Sequence, residues 1–267
     1  MTDWLAVARE GRAAVARALE ELPTRADREP EVGTGKGGDE TIAIDAAAEE
    51  AVVRVLEGVD EAFTLVSEEL GERVFGDSSA SLRVVLDPID GSLNAKRGIP
   101  FFCVSIAVAD GPVMDDVFFA YVYDFGTGEE WTAMRGEGSQ LDGALLDGSG
   151  PKDEIEVLVL EATRTDLVAE KVASMVDLAH RTRVFGSLAL SLCHLAAGRV
   201  DAVCSLKPAR SVDIAAAQLV VRERGLAIDL PEDAPFGAAR LDVEGRSRVV
   251  AAGTPERCAE LFARLNA

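Results

Sequence analysis

Histidine is nearly absent from this chain: His180 and His194 are the only two in 267 residues. Neither is accompanied by a nucleophile pattern such as Gly-x-Ser-x-Gly, so triad-type hydrolysis has no visible base. Lysine is scarce as well, occurring only at Lys36, Lys96, Lys152, Lys171 and Lys207. With 47 acids against 27 basic residues the formal charge is -20, which leaves no basic face for a nucleic-acid backbone. Cys103, Cys193, Cys204 and Cys258 show no Cys-x-x-Cys spacing and lie mostly among apolar neighbours, as buried thiols do, rather than disulfides or zinc ligands. Long hydrophobic runs are missing too: nothing approaches the roughly 20 apolar residues that span a bilayer. The acidic start, Met1-Thr2-Asp3-Trp4, is unlike a secretion signal, so a cytoplasmic protein without a membrane partner is expected. Aromatics make up 5% of the chain and offer no obvious platform for an adenine ring.

What is present is a hydrophobic content of 48%, enough for a substantial core in one large domain or two packed subdomains. The acid surplus reads as a solvated, halophile-like surface whose self-repulsion is screened by salt. Only acids in special local context therefore count as functional candidates.

The most informative stretch is Asp87-Pro88-Ile89-Asp90-Gly91-Ser92. It follows Leu82-Arg83-Val84-Val85-Leu86, an apolar, β-branched run that reads as a buried strand ending where the two carboxylates begin. Pro88 disfavours a helical Asp87, and Gly91 lets backbone approach a ligand closely, so Asp87 and Asp90 sit on a tight turn. Such a corner gathers oxygens for a hard cation. Magnesium takes carboxylates and carbonyls while keeping waters and substrate phosphates, so a few more acids from elsewhere would complete a site.

Along the rest of the chain, residues 3 to 22 carry apolar positions at helical spacing. The polar stretch from Pro23 to Gly38 contains Gly33-Thr34-Gly35-Lys36-Gly37-Gly38, a formal Gly-x-Gly-x-x-Gly, but no strand-like run precedes it and a loop is expected. Asp45 stands before an alanine-rich helix of residues 46 to 57, either as its N-cap or as a site acid. Phe63 to Val66 reads as a buried strand ending at Ser67-Glu68-Glu69, again with acids where ligands collect in such sheets. Phe101 to Ala109 and Val117 to Tyr123 read as antiparallel strands, extended by hairpins through Trp131 and residues 135 to 143. From 155 the pattern becomes strand (155–160), helix (165–178), strand (183–185), followed by a helix from Gly186-Ser187, a strand at 200–204, a helix from Asp213, and a closing strand and helix. This divides the chain into an N-terminal α+β subdomain, 1–150, and a C-terminal α/β subdomain, 151–267. His194 is expected in helix packing.

Glu68, the turn with Asn94 completing Asp-Pro-Ile-Asp-Gly-Ser-x-Asn, and Asp213 in Ser211-Val212-Asp213-Ile214-Ala215-Ala216-Ala217 together resemble the inositol monophosphatase and fructose-1,6-bisphosphatase superfamily. The segment from Asn94 to Pro100 is most similar to its archaeal dual-activity members. The resemblance implies a layered αβαβα sandwich, an α/β (α+β) fold with the site at the subdomain junction, and a homodimer. It implies two or three Mg2+ ions: one held by Glu68, Asp87 and the Ile89 carbonyl, a second by Asp87, Asp90 and Asp213, with metal-activated water attacking a phosphomonoester. By the same resemblance Ser92 would orient that water with Glu68, and Asp39 and Asp45 match family acids near it. Asp90, Gly91 and Ser92 line the phosphate.

The substrate class so implied is a small sugar or polyol phosphate, fructose-1,6-bisphosphate with inositol-1-phosphate, in gluconeogenic carbohydrate metabolism. The segment before Asp213, Ser205-Leu206-Lys207-Pro208-Ala209-Arg210, carries bases where inositol phosphatases have an acid. Lys207 with Arg183, beside Gly186 and Ser187, is therefore the expected place for a second phosphate. The alternatives are a 3'(2'),5'-bisphosphate nucleotidase of the same superfamily and a catalytically silent metal-binding acidic protein.

Overall fold

The computed structural model describes residues 2–266, apart from 37–39, 149, 153, 162–163 and 234. Helix α1 (Trp4–Glu21) opens the chain; a single turn, α2 (Arg25–Arg28), and a hairpin of β1 (Glu31–Thr34) and β2 (Glu40–Ile42) lead into α3 (Ala43–Leu56). Then come β3 (Phe63–Ser67), β4 (Gly71–Phe75), β5 (Arg83–Asp90), the short helix α4 (Ser92–Arg97), β6 (Cys103–Ala109), β7 (Val117–Asp124), β8 (Glu130–Met134), β9 (Gly138–Leu141) and β10 (Ala144–Leu145). These eight strands form one sheet in the order β10-β9-β8-β7-β6-β5-β3-β4. The remainder is β11 (Ile155–Glu161), α5 (Thr165–Val172), β12 (Ala179–Arg183), α6 (Leu188–Ala196), β13 (Ala202–Ser205), α7 (Ser211–Glu223), β14 (Ala227–Asp229), β15 (Val250–Ala252) and α8 (Pro255–Leu265). Its five strands form a second sheet, β12-β11-β13-β15-β14.

The strand period of two sorts these elements into five layers. On the large sheet Leu65, Val84, Leu86, Val104, Ile106 and Tyr121 point one way, into a core shared with α1 and α3. Their neighbours Val66, Val85, Cys103, Ala107, Ala120 and Val122 point the other way, onto α6 and α7. The second sheet repeats the division. Val159, Val203 and Ala251 join the core around α6 and α7, while Leu158, Leu160, Ala202, Cys204, Val250 and Ala252 pack with Leu261 and Leu265 of α8. The result is the expected αβαβα sandwich. A helix between two sheets must be apolar all round, and α6 is: Leu188, Ala189, Leu190, Leu192, Cys193 and Leu195 are all buried. All four cysteines are buried free thiols.

Three local readings change. The polar stretch before Gly38 contains β1, so Gly33-x-Gly35 lies within a hairpin and leads to a second strand rather than into a helix. The helix expected over 165–178 stops at Val172, and a 3-10 turn, Ala173–Met175, releases Ala179–Arg183 to pair in parallel with β11. That edge strand, Ala-His-Arg-Thr-Arg, is mostly exposed and carries no apolar alternation to announce it. Finally, β5 does not stop at Leu86 but runs on through Asp90, with a register shift between Asp87 and Asp90.

Entry into β11 is fixed by the buried Asp201, whose carboxylate accepts from the amides of Lys152 (2.9 Å), Glu156 (3.0 Å) and Val157 (2.9 Å). Removing it strands three amides. Asp201→Ala is expected to cost about 2–4 kcal/mol, because hydrogen bonds to a charged group contribute more than neutral ones, and chemical denaturation would measure the loss.

Candidate active site

β3 and β5 are neighbours in parallel, with Ser67 opposite Leu86. β3 therefore ends beside the middle of β5, and the next residue after each of these partners is an acid, Glu68 just past β3 and Asp87 within β5. The third acid arrives from the middle layer: α7 begins at Ser211, which puts Asp213 in its first turn rather than at its start. Glu68, Asp87 and Asp213 each offer an oxygen within 4.8 Å of the others. They make up the cluster of this kind found among the described residues.

Proline shapes the corner. Pro88 has no N–H to give to the β5–β6 ladder, the pairing shifts there, and the freed amide of Ile89 donates back to Asp87 Oδ1 at 3.0 Å. Gly91 then takes a φ of 98°, and a Cβ there would lie 3.1 Å from the carbonyls of Gly186 and Phe101. Ser92 donates its hydroxyl to the Ile89 carbonyl at 3.0 Å. Asn94 clamps the turn to both sheets by donating to the carbonyls of Phe101 (2.8 Å) and Phe185 (2.7 Å). Asp90 reaches the middle layer, its Oδ2 accepting from the Ser187 hydroxyl and the Ala189 amide, both at 2.7 Å. Gly186 gives its amide to Glu161 Oε2 at 2.9 Å, and Glu161 Oε1 accepts from Ser191 at 2.6 Å.

Asp45 is not the N-cap of its helix. β2 runs directly into α3, Ile42 takes the cap position, and Asp45 lies buried in the first turn, with Oδ1 unpartnered among the described residues. Four residues on, Glu49 is buried too and holds the segment around Glu68. Its Oε1 accepts from the hydroxyl of Ser67 and the amides of Glu69 (3.2 Å) and Leu70 (3.3 Å). Asp39 lies outside the described residues. Arg183 and Lys207 are exposed, with Arg183 donating to the Thr182 carbonyl at 2.8 Å. The base that turns inward is Arg210: its guanidinium pairs with Glu68 Oε1 and lies 3.3 Å from Asp213 Oδ1, and its amide donates to Asp213 Oδ2 at 2.7 Å.

The charge is held under strain. Burial, chiefly, pushes the Glu68 carboxyl up to about 8 against the pull of Arg210, and Asp45 up to about 7. Asp87 is raised well above the usual carboxylate range by burial and then by the charges of Glu68, Asp90 and Asp213. Asp90 rises to about 6 for the same first reason, with the bond from Ser187 opposing. Crowded carboxylates that resist ionisation, one of them with an orphaned oxygen, are a donor set that hard divalent cations fit.

Sequence reasoning left out Arg210, Glu161 and Glu49. Glu161 had the signal that singled out Glu68, an acid at the carboxyl end of a buried strand; Glu49 had helical spacing from Asp45. Arg210 sits in the basic segment already in view, and only the N-terminal geometry of α7 turns it, rather than Lys207, toward the acids.

Carboxylates gathered at one corner of a five-layer sandwich define the class, a fold of the sugar-phosphatase type with an acidic cluster that could hold a metal ion. The sequence pattern of the inositol monophosphatase family matches residues 3–266, and the chain belongs to that family. It is 33% identical over 263 residues to the fructose-1,6-bisphosphatase/inositol-1-monophosphatase of Methanothermobacter thermautotrophicus, covering 95% of this chain and 93% of the relative. The enzyme of the same description from Archaeoglobus fulgidus is also 33% identical, over 94% of this chain and 93% of its own. A solved structure described as an inositol monophosphatase-fructose 1,6 bisphosphatase superposes with a TM-score of 0.83 at 27% identity, covering 99% of this chain and all of the other.

These shifts have a sign. Acids whose folded pKa lies above the unfolded value of about 4 weaken the metal-free fold as pH rises from there through the folded pKa. Thermal midpoints in a chelator should fall between about pH 5 and pH 8, and Mg2+ should flatten that slope by favouring the ionised forms.

Proposed function

We propose that this chain is a magnesium-dependent phosphomonoester hydrolase of small sugar or polyol phosphates, acting on fructose-1,6-bisphosphate and inositol-1-phosphate. The observation that carries the reading is the convergence of Glu68, Asp87 and Asp213 from three elements. Glu68, Asp87 and the Ile89 carbonyl would hold one Mg2+, and Asp87, Asp90 and Asp213 a second. When bound, such ions neutralise charge on the transferring phosphoryl oxygens and activate water for in-line attack.

The chain's own residues do the rest. Asp90 is oriented through Oδ2 by the Ser187 hydroxyl and the Ala189 amide, and its other oxygen would serve the second ion. Gly91 and Ser92 present backbone to the phosphate; the Ser92 hydroxyl, near Asp45, positions water together with Glu68. Asp45, buried with one carboxylate oxygen unpartnered among the described residues, would accept a hydrogen bond from that water. Gly186 and Ser187, on the loop clamped by Asn94 and Glu161, line the sugar, with Arg183 and Lys207 at the rim for a second phosphate. We place this site where two subdomains meet, 1–150 and 151–267, in a homodimeric cytoplasmic enzyme of gluconeogenic carbohydrate metabolism. The names of the archaeal relatives support the chemistry, and the charge of -20 supports work at high salt.

Mg2+-dependent phosphate release tests the reading. Asp87→Asn and Asp213→Asn should each lower turnover at least about a thousandfold while the fold persists by circular dichroism, since a metal clamp supplies several kcal/mol. Near-normal turnover in either variant would remove the site. If the rim bases hold a second phosphate, Lys207→Ala raises KM for fructose-1,6-bisphosphate about tenfold, as expected for one lost charged contact, and leaves inositol-1-phosphate unchanged. Unchanged constants for both substrates would exclude that role.

A further inference from the structure

Among the described residues, Arg210 is the base that pairs with the clustered acids themselves. Its side chain is 11% exposed, and an arginine does not surrender its proton at any working pH, so a permanent positive charge is enclosed beside the acids. The guanidinium touches Glu68 Oε1 and approaches Asp213 Oδ1, while Asp87 adds to the field that favours its charge. Two of the three carboxylates that converge for an ion are therefore already gripped by a cation of the chain's own. The arrangement does not serve helix capping. Asp213 caps α7 through the backbone amide of Arg210, at 2.7 Å, a bond that every residue but proline would keep at 210.

A carboxylate oxygen directed at a guanidinium has one lone pair committed, which leaves a divalent ion fewer of the carboxylate's donor sites. Without the ion, the guanidinium lessens the repulsion among Glu68, Asp87 and Asp213 and holds Glu68, which follows β3, close to Asp213 on α7. With the ion, it is a like charge at short range.

We propose that Arg210 is a resident counter-cation that competes with the metal for Glu68 and Asp213, keeping the empty cluster assembled and setting how tightly the ion binds. It is a positioning residue, acting through the two carboxylates rather than on substrate. The proposal rests on the metal site described under the proposed function and deepens it.

The test uses the full chain stripped with a chelator, with Mg2+ and Mn2+ titrated calorimetrically and thermal midpoints read with and without ion. In Arg210→Gln the metal-free midpoint should fall further below wild type than the Mg2+-saturated one. Mg2+ should bind about tenfold tighter, equivalent to about 1.4 kcal/mol. Arg210→Lys keeps the charge and should stay within about threefold of wild type on the same scale. If Arg210→Gln cannot fold without metal, its recovery on adding Mg2+ meets the expectation and failure to recover overturns it. Unchanged or weaker Mg2+ binding in Arg210→Gln, or equal losses of midpoint with and without ion, also overturns the role. Wild-type protein that binds neither ion would instead overturn the metal site itself.

Discussion

The structure turns on mutual repulsion among carboxylates that the fold forces together. Parallel pairing of β3 and β5 brings Glu68 and Asp87 out at one edge, and the amino end of α7 brings Asp213 against them. Buried like charges at such separations are costly, and proteins tolerate them where a bound cation or a function repays the cost. Here the surroundings counter the repulsion in several ways. Glu49 bonds the Ser67 hydroxyl before Glu68 and the Glu69 and Leu70 amides after it, Ser187 and the Ala189 amide bond Asp90, and Arg210 supplies an opposite charge. Glu49 comes from the outer helix layer and the other two from the helices between the sheets, so the site also works as a joint between layers.

That joint explains the placement of Asn94 and Glu161. Asn94 bonds one carbonyl at the entrance to β6 and another just before α6. Glu161, at the end of β11, bonds the amide of Gly186 and the hydroxyl of Ser191 on α6. Phe101 and Phe185 stack at 4.7 Å above this seam, and His194 stacks on Phe101 at 5.6 Å, in the packing role expected of it. The loop carrying Gly186 and Ser187 is thus fastened from both sheets at once. A change of angle between the sheets would be felt directly at Asp90.

Much of this was legible in the chain. The layers follow from period-two alternation in strands such as Val84, Val85 and Leu86, whose side chains divide between two cores, and from the unbroken apolar run of α6. The acidic corner was legible because Pro88 and Gly91 impose local backbone geometry that depends on little else. What escaped were features that exist only through pairing. The edge strand Ala179–Arg183 is held by backbone bonds to β11 and bears a polar pattern, so nothing local marks it. Asp45 looked like a helix cap because acids favour that position, but β2 enters α3 without a turn and moves the acid inward.

The same distinction separates catalytic machinery from substrate choice. The clustered acids follow β3, lie at the Asp-Pro step of β5 and open α7, where backbone direction fixes side-chain direction, so residue type and spacing suffice to bring them into view. The basic residues near Asp213 have no such constraint: Lys207 follows the last residues of β13 and points to solvent, whereas Arg210, three residues on, adjoins the first turn of α7 and is drawn in by Glu68 and Asp213. A count of bases in 205–210 finds both and cannot rank them. The ranking comes from the direction in which α7 begins, and that is set by the packing of its apolar face between the two sheets.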